Sequence, residues 1–345
     1  MFQCSLILVL ALLCAQHLSA QDQPGGKLSG YVMGDYFYKL NGDSTGTGSQ
    51  YSSGRKDDQA FQLRRLYLIY DHTISDKFAA QFLLEGNDKT FTDGKHGVFV
   101  KTAYLEWKEF LTNHSFFIGL VPTPTWSTLT ERLWNYRSIE KTILDFRGLG
   151  IPSDIGMQLR GRSDARGSIS YVVMVGNGTG QRPENNRYKK YYASLCAKPI
   201  EPFVLEAYAD FEPTGSEKHV LTLRGFAAYQ SEHFTAGIEV FQQRHHNQPL
   251  QGRDKTPFGL STFAWGDIAG NLRAFGRFDL FDPDAKLANV GFREFFVTTG
   301  IDYMPVKDVH FMPNVWMNFF ADKSPARRSQ QADIVARLSF FYYYR

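Results

Sequence analysis

The side chains best suited to chemistry are the histidines, a lone internal cysteine and a large set of arginines and carboxylates. His245 and His246 stand together in "RHHNQPLQGRDK". Neighbouring residues on an extended chain point apart, so the pair reads as an exposed loop pair rather than part of a zinc site. His72, His219, His233 and His310 are scattered near the ends of alternating segments, with no Ser–His–acid grouping that would activate a nucleophile. "VGNGTG" lacks the Lys and following helix of a phosphate-binding loop and reads as a loop apex. Cys196 sits among small residues in "YYASLCAKP", a packing context. These residues indicate no metal, no cofactor and no covalent catalysis. What remains is charge: Arg, Lys, Asp and Glu set among segments whose apolar residues recur at every second position.

That spacing belongs to strands. "LTLRGFAAY" sets Leu221, Leu223, Gly225, Ala227 and Tyr229 on one face and Thr222, Arg224 and Phe226 on the other. "LRAFGRFDL" separates Leu272, Ala274, Gly276 and Phe278 from Arg273, Phe275, Arg277 and Asp279. "FVLEAYADF" and "DIVARLSFFYYY" repeat the pattern, which lacks the three- and four-residue steps of a helix. Candidate strands fall near 27–40, 59–72, 77–87, 98–109, 115–120, 153–162, 167–177, 188–198, 202–212, 217–230, 233–243, 256–266, 271–281, 292–304, 307–320 and 330–343, about sixteen in all. Only "QLRRLYLIYDH" fails to alternate cleanly.

The connections alternate in length. Short ones such as "TISDK", "LTNH", "QSEH" and "PVKD" interleave with long polar ones such as "NGDSTGTGSQYSSGRKD", "NDKTFTDGKHG", "NGTGQRPENNR" and "DKSPARRSQQ". Short turns on one rim and long loops on the other are the layout of a membrane barrel, and a soluble β-sandwich would not sustain it. Residues 1–20, "MFQCSLILVLALLCAQHLSA", have the apolar run and small-residue exit of a signal peptide, which would remove Cys4 and Cys14. Residues 21–345 then form the barrel. The net charge of +3 gives no basic stripe for nucleic acid. After the leader no apolar run approaches the roughly 20 residues of a membrane helix, but barrel strands average to polar.

The third long connection, within 121–152, stands apart: "PTPTWSTLTERLWNYRSIEKTILDFRGLGIP". A barrel of about sixteen strands encloses more space than wall side chains fill, so this segment is expected to fold inward and constrict it. Leu129, Leu133, Tyr136 and Ile143 would pack a short helical segment on the wall. Glu131, Arg132, Arg137, Glu140, Lys141, Asp145 and Arg147 would face water or the opposite wall.

"LSGYVMGDYFYKL", "FQLRRLYLIYDHTISDKFAAQFLLEGND" and "FFIGLVPTPTW…YRSIEKTILDFRGLGIPSDIGMQLRG" together make the mature chain similar to the phosphate-selective porin O and P type family, within the broader outer-membrane porin superfamily. The resemblance implies a sixteen-stranded, trimeric pore in the bacterial outer membrane with an infolded third loop. By alternation, Arg65, Arg160, Arg224, Arg273, Arg277 and Arg337 face the lumen, but so do Glu85, Glu106, Asp154, Glu206, Asp210, Glu239, Asp279 and Asp302. Such a mixed lining gives a transverse field and modest selectivity rather than phosphate specificity. The expectation is a non-enzymatic, all-β transmembrane channel for passive diffusion of small solutes or ions, anions among them, with lipid and a homotrimer as partners. The alternative is a plugged barrel with an enzymatic or adhesive role.

Overall fold

Each strand pairs antiparallel with its neighbour in sequence, and the last closes on the first. The computed structural model describes residues 25–42, 55–126, 129–164, 166–247, 253–326 and 329–345. The expected signal peptide and most of the first long connection lie outside the described residues. The strands are β1 (Gly25–Asn41), β2 (Gln59–Thr73), β3 (Phe78–Thr92), β4 (Lys95–Leu111), β5 (His114–Pro122), β6 (Ser153–Arg162), β7 (Ile169–Gly176) and β8 (Lys190–Ala197). They continue as β9 (Phe203–Pro213), β10 (His219–Gln230), β11 (Phe234–His246), β12 (Phe258–Ala269), β13 (Leu272–Asp282), β14 (Phe292–Val306), β15 (Val309–Asp322) and β16 (Asp333–Tyr344). Two one-turn helices, α1 (Thr130–Trp134) and α2 (Ile143–Phe146), lie in the third long connection. The barrel closes where β1 meets β16, from Gly30 opposite Tyr344 to Asn41 opposite Ile334. Closure leaves no open edge and satisfies the backbone within lipid.

The burial pattern is inside out. Along β9, Val204, Glu206, Tyr208 and Asp210 are buried while Phe203, Leu205 and Phe211 are exposed. Along β10, Thr222 and Arg224 are buried and Leu223 is exposed. In a water-soluble protein the apolar row would turn inward; here it forms the outer surface, as lipid requires. The structure is a closed transmembrane β-barrel of sixteen strands.

Two departures from the sequence reading concern strands. "NDKTFTDGKHG" is not a free loop: β3 and β4 run on through it and join at Asp93–Gly94. Both residues there have positive φ, 51° and 75°, the two-residue hairpin geometry that Gly accommodates. β11 likewise extends through His245 and His246, where a solvated loop was expected.

The failed alternation in "QLRRLYLIYDH" has a physical cause. Met33 pairs with Arg65 and the next residue, Gly34, with Leu63, leaving Arg64 as an extra residue on β2. A second bulge lies close by: Leu83 pairs with Thr102 and Leu84 with Val100, leaving Lys101 as the extra residue on β4. A bulge re-aims a side chain, and here each one sends an additional cation inward.

Candidate functional site: the infolded third loop

The loop leaves the wall through a narrow neck. Thr123 N donates to Pro152 O at 3.0 Å, and Thr123 Oγ1 to Ile151 O at 2.6 Å. The chain then crosses the interior. Leu129, Leu133, Trp134, Tyr136 and Ile139 pack against Phe226, Phe263 and Phe275 from β10, β12 and β13. Trp126, Ile143 and Leu144 pack on Phe241 and Phe281. Phe146 rests on Phe296 and Trp316. Leu129, Leu133, Tyr136 and Ile143, the four expected anchors, are all buried. Gly150 sits so close to Trp126 that a Cβ there would lie 2.6 Å from the indole.

Irregular backbone inside a barrel needs partners for its amides and carbonyls, and wall side chains supply them. Trp265 Nε1 donates to Leu133 O at 2.8 Å, Gln243 Nε2 to Leu149 O at 2.7 Å and Arg337 Nη1 to Ile139 O at 3.1 Å. Arg277 donates to the carbonyl of Lys141 and Arg224 to Thr130 Oγ1. Trp316 Nε1 reaches Glu140 Oε2 at 2.9 Å, while Tyr136 Oη reaches Asp302 Oδ2 at 3.1 Å.

These contacts revise the expected roles of three arginines. Arg224, Arg277 and Arg337 point inward, but their side chains are no more than 1% exposed. Each is covered by the loop, so they fasten it rather than meet a solute. Arg147 joins them through Glu294 and Asn318. Neighbouring carboxylates balance the buried guanidinium charge: Asp279 binds Arg277 at 2.8 Å, and Glu206 and Glu239 flank Arg224. Asp154 faces inward, as the alternation had it, but it does not line open lumen. Instead it accepts from Gly178 N at 2.7 Å, Gly180 N at 3.1 Å and Tyr192 Oη at 2.8 Å, holding the β7–β8 connection. Asp210 is buried and paired with Lys190 at 3.3 Å. Arg273 lies by the short-turn rim, its Nε 2.7 Å from Asp267 and its guanidinium over Trp265.

Among the described residues, interior cavities lie beside the loop, lined by strands between β2 and β9. Toward the long-loop rim is one of about 240 Å³, between α2, β2, β3 and β4. Arg64, Arg65, Lys89, Lys101, Arg137 and Lys141 line it, with Glu85, Asp88, Glu140 and Asp145: six cations against four carboxylates. Arg137 Nη1 binds Asp145 Oδ2 at 2.8 Å and also Glu131; Lys141 lies 3.6 Å from Asp145. Arg65 lies 3.4 Å from Glu85, which Lys101 also binds. Burial would raise the carboxyl pKa of Asp145, but Arg137 and Lys141 hold it below the usual range. Glu140 behaves alike: burial opposes its charge, and Arg64 and Lys141 outweigh burial.

The second cavity, about 620 Å³, opens toward the short turns, with Arg132 of α1, Arg160 of β6, Glu106 of β4 and Cys196 of β8 on its wall. The structure thus brings Glu140, Lys141, Asp145, Arg137 and Arg65 together in one cavity, Arg132 and Arg160 in the other, and buries Arg224, Arg277 and Arg337 beneath the loop. Sequence reasoning missed Arg64 and Lys101; the broken alternation around "RR" was the available signal for the first. It also missed Trp134, Trp265 and Trp316 as loop anchors, which the local sequence does not distinguish from wall aromatics.

Among the described residues, no group of three or more His, Cys, Asp and Glu side chains could hold a metal ion. His246 binds Asp254 at 2.8 Å and His245 binds Gln243 at 2.7 Å, so the two rings serve separate partners.

No family model matches the chain, and no curated protein sequence matches it. Solved structures do. An anion-selective porin from Comamonas acidovorans superposes with a TM-score of 0.65 at 12% identity, over 93% of this chain and 100% of that one. The outer-membrane channel DcaP of Acinetobacter baumannii gives 0.65 at 13% identity, over 95% and 99%. OmpT of Vibrio cholerae, folded in vitro and described in its trimer form, gives 0.60 at 12% identity, over 94% and 100%. At such identities the likeness is one of fold: the barrel of this chain superposes on those of bacterial outer-membrane proteins over 93–95% of the chain.

Proposed function

We propose that this protein is a bacterial outer-membrane porin through which small hydrophilic solutes diffuse passively, without covalent chemistry. The observation that carries this reading is the third connection, folded into a lipid-facing barrel and leaving charged cavities on either side of itself. The inverted burial pattern supports residence in the membrane, and the outer-membrane provenance of the similar structures supports which membrane. Six cations against four carboxylates near the long-loop rim favour a mild preference for anions, phosphate among them. A ladder of unpaired arginines would be needed for phosphate specificity, and Arg65 and Arg137 are instead paired with Glu85, Glu131 and Asp145. The similar trimer supports a homotrimer.

Single-channel current of the refolded protein in a planar bilayer under a salt gradient tests the reading. Steady conductance with a reversal potential a few millivolts toward the anion side is the expected result. A folded barrel that passes no ions would overturn it and favour a plugged barrel.

A further inference from the structure

The arginines between loop and wall are matched by carboxylates: Arg224 by Glu206 and Glu239, Arg277 by Asp279, Arg337 by Asp35, and Arg147 of the loop by Glu294 of the wall. Arg132 and Arg160 are not. Both line the 620 Å³ cavity at the short-turn end, and among the described residues no ion pair joins either to a carboxylate. Arg160 is fixed in place. Its Nε donates to Gln158 Oε1 at 2.5 Å, and its guanidinium lies 4.2 Å from the centre of the Phe117 ring. Its two Nη groups have no protein partner among the described residues. Arg132 is exposed on α1 and its side chain bonds to nothing else described; Arg162 of β6, likewise without an ion pair among the described residues, lines the same cavity. Guanidinium charges left facing one cavity with no carboxylate bonded to them are stabilised by an anion that enters it.

We propose that Arg132 and Arg160 form a binding site for the carboxylate of small organic monoanions crossing the barrel. The proposal rests on the diffusion-channel reading and adds a solute class to it. The planar guanidinium fork matches a carboxylate in bidentate fashion. A volume of about 620 Å³ lies within the range of small-molecule sites, roughly 300–1,000 Å³, and far exceeds what a bare inorganic ion fills. Tyr104, Phe117, Pro122, Leu129 and Val172 give the solute body an apolar wall. Glu106 and Glu109 line the same cavity, and neither pairs with an arginine among the described residues. They disfavour a second negative charge, so monocarboxylates are preferred over dicarboxylates.

Cys196 faces the same cavity and reports on it. In a Cys4→Ser, Cys14→Ser background of the full chain it is the sole thiol. In detergent, with each rate divided by that reagent's rate toward a small free thiol, a sulfonate-bearing methanethiosulfonate is expected to label it roughly tenfold faster than the trimethylammonium-bearing reagent. Benzoate should slow labelling by the anionic reagent, and phthalate should do so less. Arg132→Gln and Arg160→Gln should each shrink the preference severalfold and abolish the benzoate effect. The Arg132 side chain makes no bond to the other described residues, so its variant keeps the barrel intact, as an unchanged heat-modifiable gel shift would show. Equal labelling rates in the parent, no benzoate protection, or an unaltered preference in folded Arg132→Gln each overturn the site. Bilayer current separates the two levels: conductance without benzoate protection removes the site and leaves the channel. Protection in a barrel that passes no ions removes the channel reading and leaves a carboxylate site in a closed barrel.

Discussion

Arg337 of the last strand donates through Nη1 to the carbonyl of Ile139, 3.1 Å away across 198 residues of sequence. Its Nε meanwhile binds Asn314 Oδ1 at 2.8 Å, and its Nη1 lies 3.9 Å from Asp35. One side chain therefore ties β1, β15, β16 and the tip of the third loop together. Fully buried, the guanidinium is strong only while each partner stays in place.

Replacing Arg337 by Met should loosen the loop and leave Asp35 with less compensation. Breaking such a buried network costs about 3–5 kcal/mol. We expect a lower guanidinium midpoint in detergent and flickering single-channel current; a quiet trace with an unchanged midpoint would show that the loop does not depend on this anchor.

Arg64 and Lys101 enter the lumen only because of the two bulges. Gln at both positions removes two of the six cations near the long-loop rim. The anion-to-cation permeability ratio should fall by roughly twofold or more. Reversal potentials under a salt gradient measure this directly, and a ratio equal to that of the parent would place selectivity elsewhere.

Trp134 packs against Tyr136, Phe263 and Phe275, and its Nε1 donates to Glu140 O at 2.7 Å. Trp134→Ala opens a void under the loop, and such changes cost about 3–5 kcal/mol. The temperature at which the folded band converts on a heated gel should drop, with a rise in mean conductance if the loop shifts toward the wall. Neither change occurring would mean that the remaining contacts hold the loop unaided.

Asp145 and Glu140 have carboxyl pKa values held below those of the unfolded chain. Their contribution to loop stability is complete above the unfolded carboxylate range, about pH 4, and is lost as pH falls through their lower folded values. Current should therefore stay steady from neutral pH down to about pH 5 and become noisy only at stronger acidity. Asp145→Asn should be noisy at neutral pH and less sensitive to acid. Noise in the parent that sets in between about pH 7 and pH 6 would point to a different titrating group.

The sequence by itself determined the strands and most of their alternation of long and short connections, though not the two-residue β3–β4 turn. The pattern in "LRAFGRFDL" places β13 within a residue of Leu272–Asp282, because the two-residue side-chain period is a property of each strand alone. It also singled out 121–152 and the four apolar residues that pin it, since length and composition set that segment apart from its surroundings. Only the tertiary structure decided what the inward charges do. Whether Arg337 meets a solute or the carbonyl of Ile139 depends on where a segment almost two hundred residues away comes to rest. Whether Arg64 points inward depends on the register of β1 against β2, fixed by pairing across the barrel rather than by the residues beside it. Local period encodes which face a side chain takes; the partner it finds there is settled by closure of the barrel and the path of the loop through it.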